Sequence, residues 1–84
     1  MIKINYIKEA NSITARELEI TDMCSGYISI NHIIFVSDLL DYILPISGNL
    51  VAKYGYIVMV TGNKIFLNEN QYNEFISAYL SKIE

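Results

Sequence analysis

Cys24, His32 and Asp38 are the residues of this chain whose types match a nucleophile, a general base and an orienting acid. Such a set works only if the thiol lies within hydrogen-bond reach of the imidazole. The spacing gives that no support: His32 sits inside an isoleucine-rich run, and Cys24 lies in the segment before it. His32 therefore reads as a structural or half-exposed histidine. One cysteine and one histidine also fall short of the four ligands of a closed tetrahedral metal site. Asp38 and Asp41 could share one face of a helical turn, but they read as a capping acid and a solvated one rather than an acid–base pair. Gly26, Gly48, Gly55 and Gly62 are scattered, so no loop is built to cradle a phosphate. The expectation is a chain with no catalytic residue, no metal and no cofactor.

Charge narrows the partners. Six basic residues, unclustered, and a net charge of −3 do not make a surface that neutralises phosphates. The nine acids are spread along the chain and do not mimic a nucleic acid either. Met1–Tyr6 has no continuous apolar stretch of the signal-peptide type. The longest charge-free run, Met23 to Ser37, has fifteen residues, fewer than the ~20 apolar residues that span a bilayer. A cytoplasmic protein with neither nucleic-acid nor membrane partners is expected.

Eighty-four residues allow a single domain, 1–84, with one core. A chain of this size buries only roughly 60% of the surface that its unfolded form exposes. Cys24 is the lone cysteine, so no disulfide adds stability, and it reads as a small, reduced, structural residue. The hydrophobic fraction, 52%, is high enough to leave apolar surface over once a core is filled, and association is one way to cover it. Fifteen isoleucines and eight asparagines against four alanines and one proline are the balance that an AT-rich genome encodes.

Period-two alternation over Met1–Ile7 predicts a half-buried strand, and Glu9-Ala10-Asn11-Ser12 a turn. Ile13–Thr21 fits two readings: Ala15-Arg16-Glu17-Leu18-Glu19 could form a helical turn, but Leu18 and Ile20 set between glutamates favour an edge strand. Tyr27–Val36 reads as one strong strand, with Ile28, Ile30, His32, Ile34 and Val36 on one face. Ser37 and Asp38 are expected to cap a short helical turn through Tyr42–Leu44 that Pro45 ends, and Pro45–Asn49 to form a loop. Leu50–Thr61 is a strand with a bulge at Gly55. Gly62-Asn63 predicts a two-residue hairpin loop, pairing Thr61 with Lys64 and Val58 with Leu67. Asn68 and Gln71 form a capping box for a helix over 69–83, whose apolar stripe is Tyr72, Phe75, Ile76, Tyr79, Leu80 and Ile83. The fold class is α+β: a small antiparallel sheet or half-open barrel with one C-terminal amphipathic helix.

The runs Ile28-Ser29-Ile30-Asn31-His32-Ile33-Ile34-Phe35-Val36 and Tyr56-Ile57-Val58-Met59-Val60-Thr61-Gly62-Asn63-Lys64-Ile65-Phe66-Leu67-Asn68-Glu69 resemble the small FlbD/SwrD-type flagellar proteins and similar short phage-encoded proteins. The resemblance covers residues 27–80: a strand, a hairpin turning on glycine and lysine, and a final helix. This chain differs in its longer N-terminal part and in the proline-containing connection from Ser37 to Asn49. The resemblance implies a small, non-enzymatic regulatory or adaptor protein and transfers no catalytic residue.

Two functions follow as expectations. The first is a protein–protein interaction module of regulatory, accessory or inhibitor kind, encoded by a phage or mobile element, which binds a protein partner or itself. The second is a small-ligand or nucleotide-binding protein with a pocket at an oligomer interface, lined by tyrosines and Arg16. In the predicted register Val58, Val60, Ile65 and Leu67 meet the helix. Ile57, Met59 and Phe66 are then left on the opposite face, and with Tyr54 and Tyr56 they form the expected interface.

Overall fold

The alternating apolar residues of the N-terminus, Ile2 and Ile4, make a strand that serves two sheets in succession. The computed structural model describes residues 1–19, 24–44 and 46–83. β1 (Ile2–Tyr6) pairs antiparallel with β3 (Cys24–Ile28), Ile2 opposite Ile28 and Tyr6 opposite Cys24. The chain then bends at Ile7 and continues as β2 (Lys8–Glu9), which runs antiparallel to β7 (Lys64–Asn68). A second change of sheet follows β3. A 3₁₀ turn over Ile30–His32, closed by the His32 N–H on the Ser29 carbonyl at 3.0 Å, leads into β4 (Ile33–Val36).

The predicted unbroken strand Tyr27–Val36 is therefore corrected. One straight strand cannot pair with both β1 and β6 (Leu50–Met59), which belong to different sheets, and the turn resets the alternation. After it Ile33 and Val36 point inward, whereas Ile34 and Phe35 are exposed.

The second sheet has the order β2-β7-β6-β4, and β5 (Leu40–Ile43) lies beside β4 on the same edge of β6 (Leu50–Met59). The two antiparallel sheets, joined through β1–β2 and β3–β4, and the C-terminal helix make the α+β class expected. Helix α2 (Glu69–Ile83) packs against β1, β6 and β7. Ile2 and Ile4 from β1, Ile57, Ile65 and Leu67 from the hairpin, and Phe75 from α2 form the buried core, with Tyr72, Ile76 and Tyr79 packed on it. The capping box at the head of α2 is present in both directions. Asn68 N–H donates to Gln71 Oε1 at 2.9 Å, and Gln71 N–H donates to Asn68 Oδ1 at 2.8 Å.

The β6–β7 hairpin corrects the predicted register. Val58 lies opposite Lys64, Ile57 opposite Ile65 and Tyr56 opposite Phe66. The loop is the three residues Val60, Thr61 and Gly62: Met59 N–H donates to the Asn63 carbonyl at 2.9 Å, and Gly62 N–H to the Met59 carbonyl at 2.8 Å. Gly62 is the last loop residue, at φ 90°, the left-handed position that closes a three-residue hairpin. The pairing is offset by an odd number of residues from the expected one, and an odd offset exchanges the two faces of one strand relative to the other. Ile65 and Leu67 accordingly do face the helix, but on β6 their companion is Ile57 and not Val58 or Val60.

Two local expectations fail for identifiable reasons. Residues 15–19 of the expected edge strand form a short helix, α1 (Ala15–Glu19); Ile20 and Thr21 lie outside the described residues. Thr14 and Glu17 make a second capping box, Glu17 accepting from the Thr14 N–H at 3.1 Å and its own N–H donating to Thr14 Oγ1 at 3.3 Å. The expected helical turn at Tyr42–Leu44 is strand β5, because β6 offers it a ladder; Pro45, its expected end, lies outside the described residues.

Candidate interaction surface

The residues that could have formed a catalytic set are separated by the topology. Cys24 opens β3, His32 ends the 3₁₀ turn and Asp38 follows β4. All three are exposed, so the expectation of Cys24 as a structural residue is corrected; its Sγ lies 3.8 Å from the Ile7 carbonyl. Asp41 is on β5 with its side chain in solvent, opposite Lys53. Arg16 is exposed on α1. Among the described residues no helix is long and apolar enough to cross a membrane.

The five residues expected to form an interface divide between two faces. Ile57 is 0% exposed and Met59 packs on the core, so the placing of both on an outward face is corrected. Tyr54, Tyr56 and Phe66 do share the face away from α2. There they belong to a row of rings that crosses four strands: Phe35–Tyr56 at 5.9 Å between centroids, Tyr56–Phe66 at 5.9 Å, Phe66–Tyr54 at 6.2 Å and Tyr54–Tyr42 at 6.2 Å. Lys64 Nζ lies 5.4 Å from the centre of the Tyr56 ring.

The middle of this row is covered. Lys8 stands directly opposite Phe66 and so on the same face, and its ammonium pairs with Glu17 of α1. Helix α1 packs against β6, and both Phe66, 4% exposed, and Leu18 are buried. The Lys8 ammonium and the Thr14 hydroxyl together hold the Glu17 carboxyl below its ordinary range. The ends of the row stay open: Phe35 is half exposed, and Tyr42 lies on the edge strand.

Gly55 has a reason other than a bulge. The Tyr72 ring lies on its Cα, where a Cβ would come 2.2 Å from Cδ2. This approach lets the Tyr72 hydroxyl donate to the Ser37 carbonyl at 2.6 Å. Ser37 meets β6 through its side chain instead: Tyr56 N–H donates to Ser37 Oγ at 2.8 Å, and Ser37 N–H to the Tyr56 carbonyl at 2.9 Å. Burial, with the Asp38 charge adding to it, pushes the Tyr72 hydroxyl above its usual pKa. Helix α2 is thereby tied to the junction between β4 and β5.

Beyond that junction the molecule changes character. β6 has ten residues, about 30 Å at ~3.3 Å per residue, in a body of 41 × 23 × 22 Å. β7 pairs only with Tyr54–Val58. From Leu50 to Lys53 the strand has β5 on one side and, among the described residues, no strand on the other. The result is a two-stranded arm whose end exposes Ile43, Leu44, Ile46 and Leu50, with Ile46 fully in solvent at 102%.

The sequence reading missed Ile43, Leu44 and Ile46 because a helical turn and a loop stand there in place of the arm, and it placed Leu50 in a strand without a reason for its exposure. A signal was there: between Asp41 and Lys53 the chain carries no charge, yet holds Ile43, Leu44, Ile46, Leu50 and Val51. Comparison with protein families, with curated proteins and with solved structures finds no match.

Proposed function

We propose that this chain is a non-enzymatic protein–protein interaction module that engages its partner through the β5–β6 arm. The observation that carries the reading is the exposure of Ile43, Leu44, Ile46 and Leu50 on an arm whose outer edges meet no strand among the described residues. In a chain of 84 residues, four large apolar side chains held in water on one projection lower solubility and add nothing to the core. Burial against another protein gives them a use. The resemblance to short flagellar and phage proteins, and a composition typical of AT-rich genomes, support a regulatory, accessory or inhibitor role on a phage or mobile element.

The test compares tagged parent with an Ile43→Lys, Ile46→Lys, Leu50→Lys variant in affinity capture from cells, with cross-linking mass spectrometry of whatever is retained. Cross-links that map to residues 40–53 in the parent and vanish in the folded variant are expected. Equal retention by both would overturn the role of the arm.

A further inference from the structure

Resting on that interaction reading, we infer that the partner of the arm is a second copy of this chain, joined edge to edge through β5 about a twofold axis at Tyr42. The phase of the hydrogen bonds on β6 leads to this. Tyr56 turns both its N–H and its carbonyl toward Ser37, and Leu44 N–H donates to the Asn49 carbonyl at 3.0 Å. With Leu40 opposite Tyr54 and Tyr42 opposite Ala52, the even-numbered residues of β5 point their main chain at β6. Asp41 and Ile43 therefore turn theirs outward.

An open edge normally carries lysine, proline or a bulge that prevents pairing. From Leu40 to Leu44 the only charge is Asp41, and Lys53 stands directly opposite it within the same chain. The bulge in this arm is on the inner strand, opposite the step from Tyr42 to Ile43, so the outer edge stays regular.

Among antiparallel registers of two identical edges, one uses all the outward groups. With Tyr42 on the axis, Asp41 of each copy pairs with Ile43 of the other, and every free N–H and carbonyl of these two residues is satisfied. An axis at Asp41 would set two carboxylates side by side, and an axis at Ile43 would leave Asp41 opposite the loop. The chosen register also continues the aromatic row. Phe66, Tyr54 and Tyr42 follow one another at 6.2 Å and stop at this edge. Tyr42 of the second copy would be next, at a non-hydrogen-bonded position, where facing side chains are closest.

The test needs two measurements. Light scattering on the parent over a range of concentrations should show a species of about twice the 9.6 kDa chain mass. In a Cys24→Ser background, Tyr42→Cys should oxidise to a covalent dimer, since facing Cα atoms at such a site are ~4.5 Å apart and within disulfide range. Asp41→Cys alone should not, because its own copy lies on a diagonal ~7–8 Å away. Mixed Asp41→Cys and Ile43→Cys chains should cross-link to each other. A parent that stays monomeric at all concentrations, or a dimer in which Asp41→Cys links and Tyr42→Cys does not, overturns the inference. A monomeric parent that still shows arm-dependent capture defeats the second copy alone. A monomer without such capture defeats the interaction reading as well.

Discussion

The two halves of β6 carry similar apolar residues and meet opposite fates. From Tyr54 to Met59 the strand is flanked by β7 and β4, crossed by α2, and contains Ile57 at 0% exposure. From Leu50 to Lys53 it has, among the described residues, one strand beside it, and Leu50 is 57% exposed. The cause lies in a different strand: β7 ends at Asn68, where the capping box turns the chain into α2. A cap on one element thus decides how far its neighbour is buried.

Truncation in the body should have the largest effect. Phe75→Ala removes a ring that is 2% exposed from the centre of the core and should cost about 3–5 kcal/mol. A chain of 84 residues holds roughly 4–13 kcal/mol at 0.05–0.15 kcal/mol per residue, so the variant should lose a large share of its stability, and its denaturant midpoint should fall far below that of the parent. If its denaturant midpoint stays near that of the parent, the core is misplaced.

Gly55→Ala tests the seam between the halves. The new methyl group displaces the Tyr72 ring and its bond to Ser37, an overpacking cost of about 1–3 kcal/mol. In a Tyr72→Ala background the same change should cost much less, and the double-mutant cycle measures the difference. Additive costs would mean that the ring and the glycine do not meet.

Removing the signal that ends β7 comes next. Asn68→Ala leaves the Gln71 N–H without its acceptor and should cost about 0.5–2 kcal/mol in urea unfolding. On the arm, Ile46→Lys should shift stability by less than about 0.5 kcal/mol, because a fully exposed side chain has no packing to lose. A large loss there would erase the contrast between the halves.

The smallest effect concerns Glu17. Its carboxyl is held below the ordinary 4.5 by the Lys8 ammonium and the Thr14 hydroxyl, so the folded state favours the ionised form. The stabilisation is present above the ordinary value and is lost as the pH falls through the lowered one. Carbon-detected titration by nuclear magnetic resonance should give a Glu17 midpoint below 4.5, and Lys8→Ala should raise it. High salt should narrow the difference, since this pair is near the surface.

Elements with complete local signals were legible in advance. The helix over 69–83 carries its own cap and its own stripe, and the strand Met1–Ile7 its own alternation. Thr14 and Glu17 carry the signal of a capping box, which the reading of Leu18 and Ile20 as strand residues leaves out. The interface residues were half legible. Tyr54, Tyr56 and Phe66 do lie together on one face, but Ile57 and Met59 were placed on the wrong side by a register read from Gly62-Asn63 alone. A glycine with positive φ fits either the first place of a two-residue loop or the last of a three-residue loop, and the two choices invert one strand.

What the residues determined by themselves was composition, secondary-structure type at both ends of the chain, and the α+β class, because caps and periodicities act over a few residues. Only the tertiary structure decided the hairpin register, the division of two strands between two sheets, and the exposure of Ile43, Leu44, Ile46 and Leu50. Each of these depends on which distant segment offers a main-chain ladder or a covering face, and no local pattern records that.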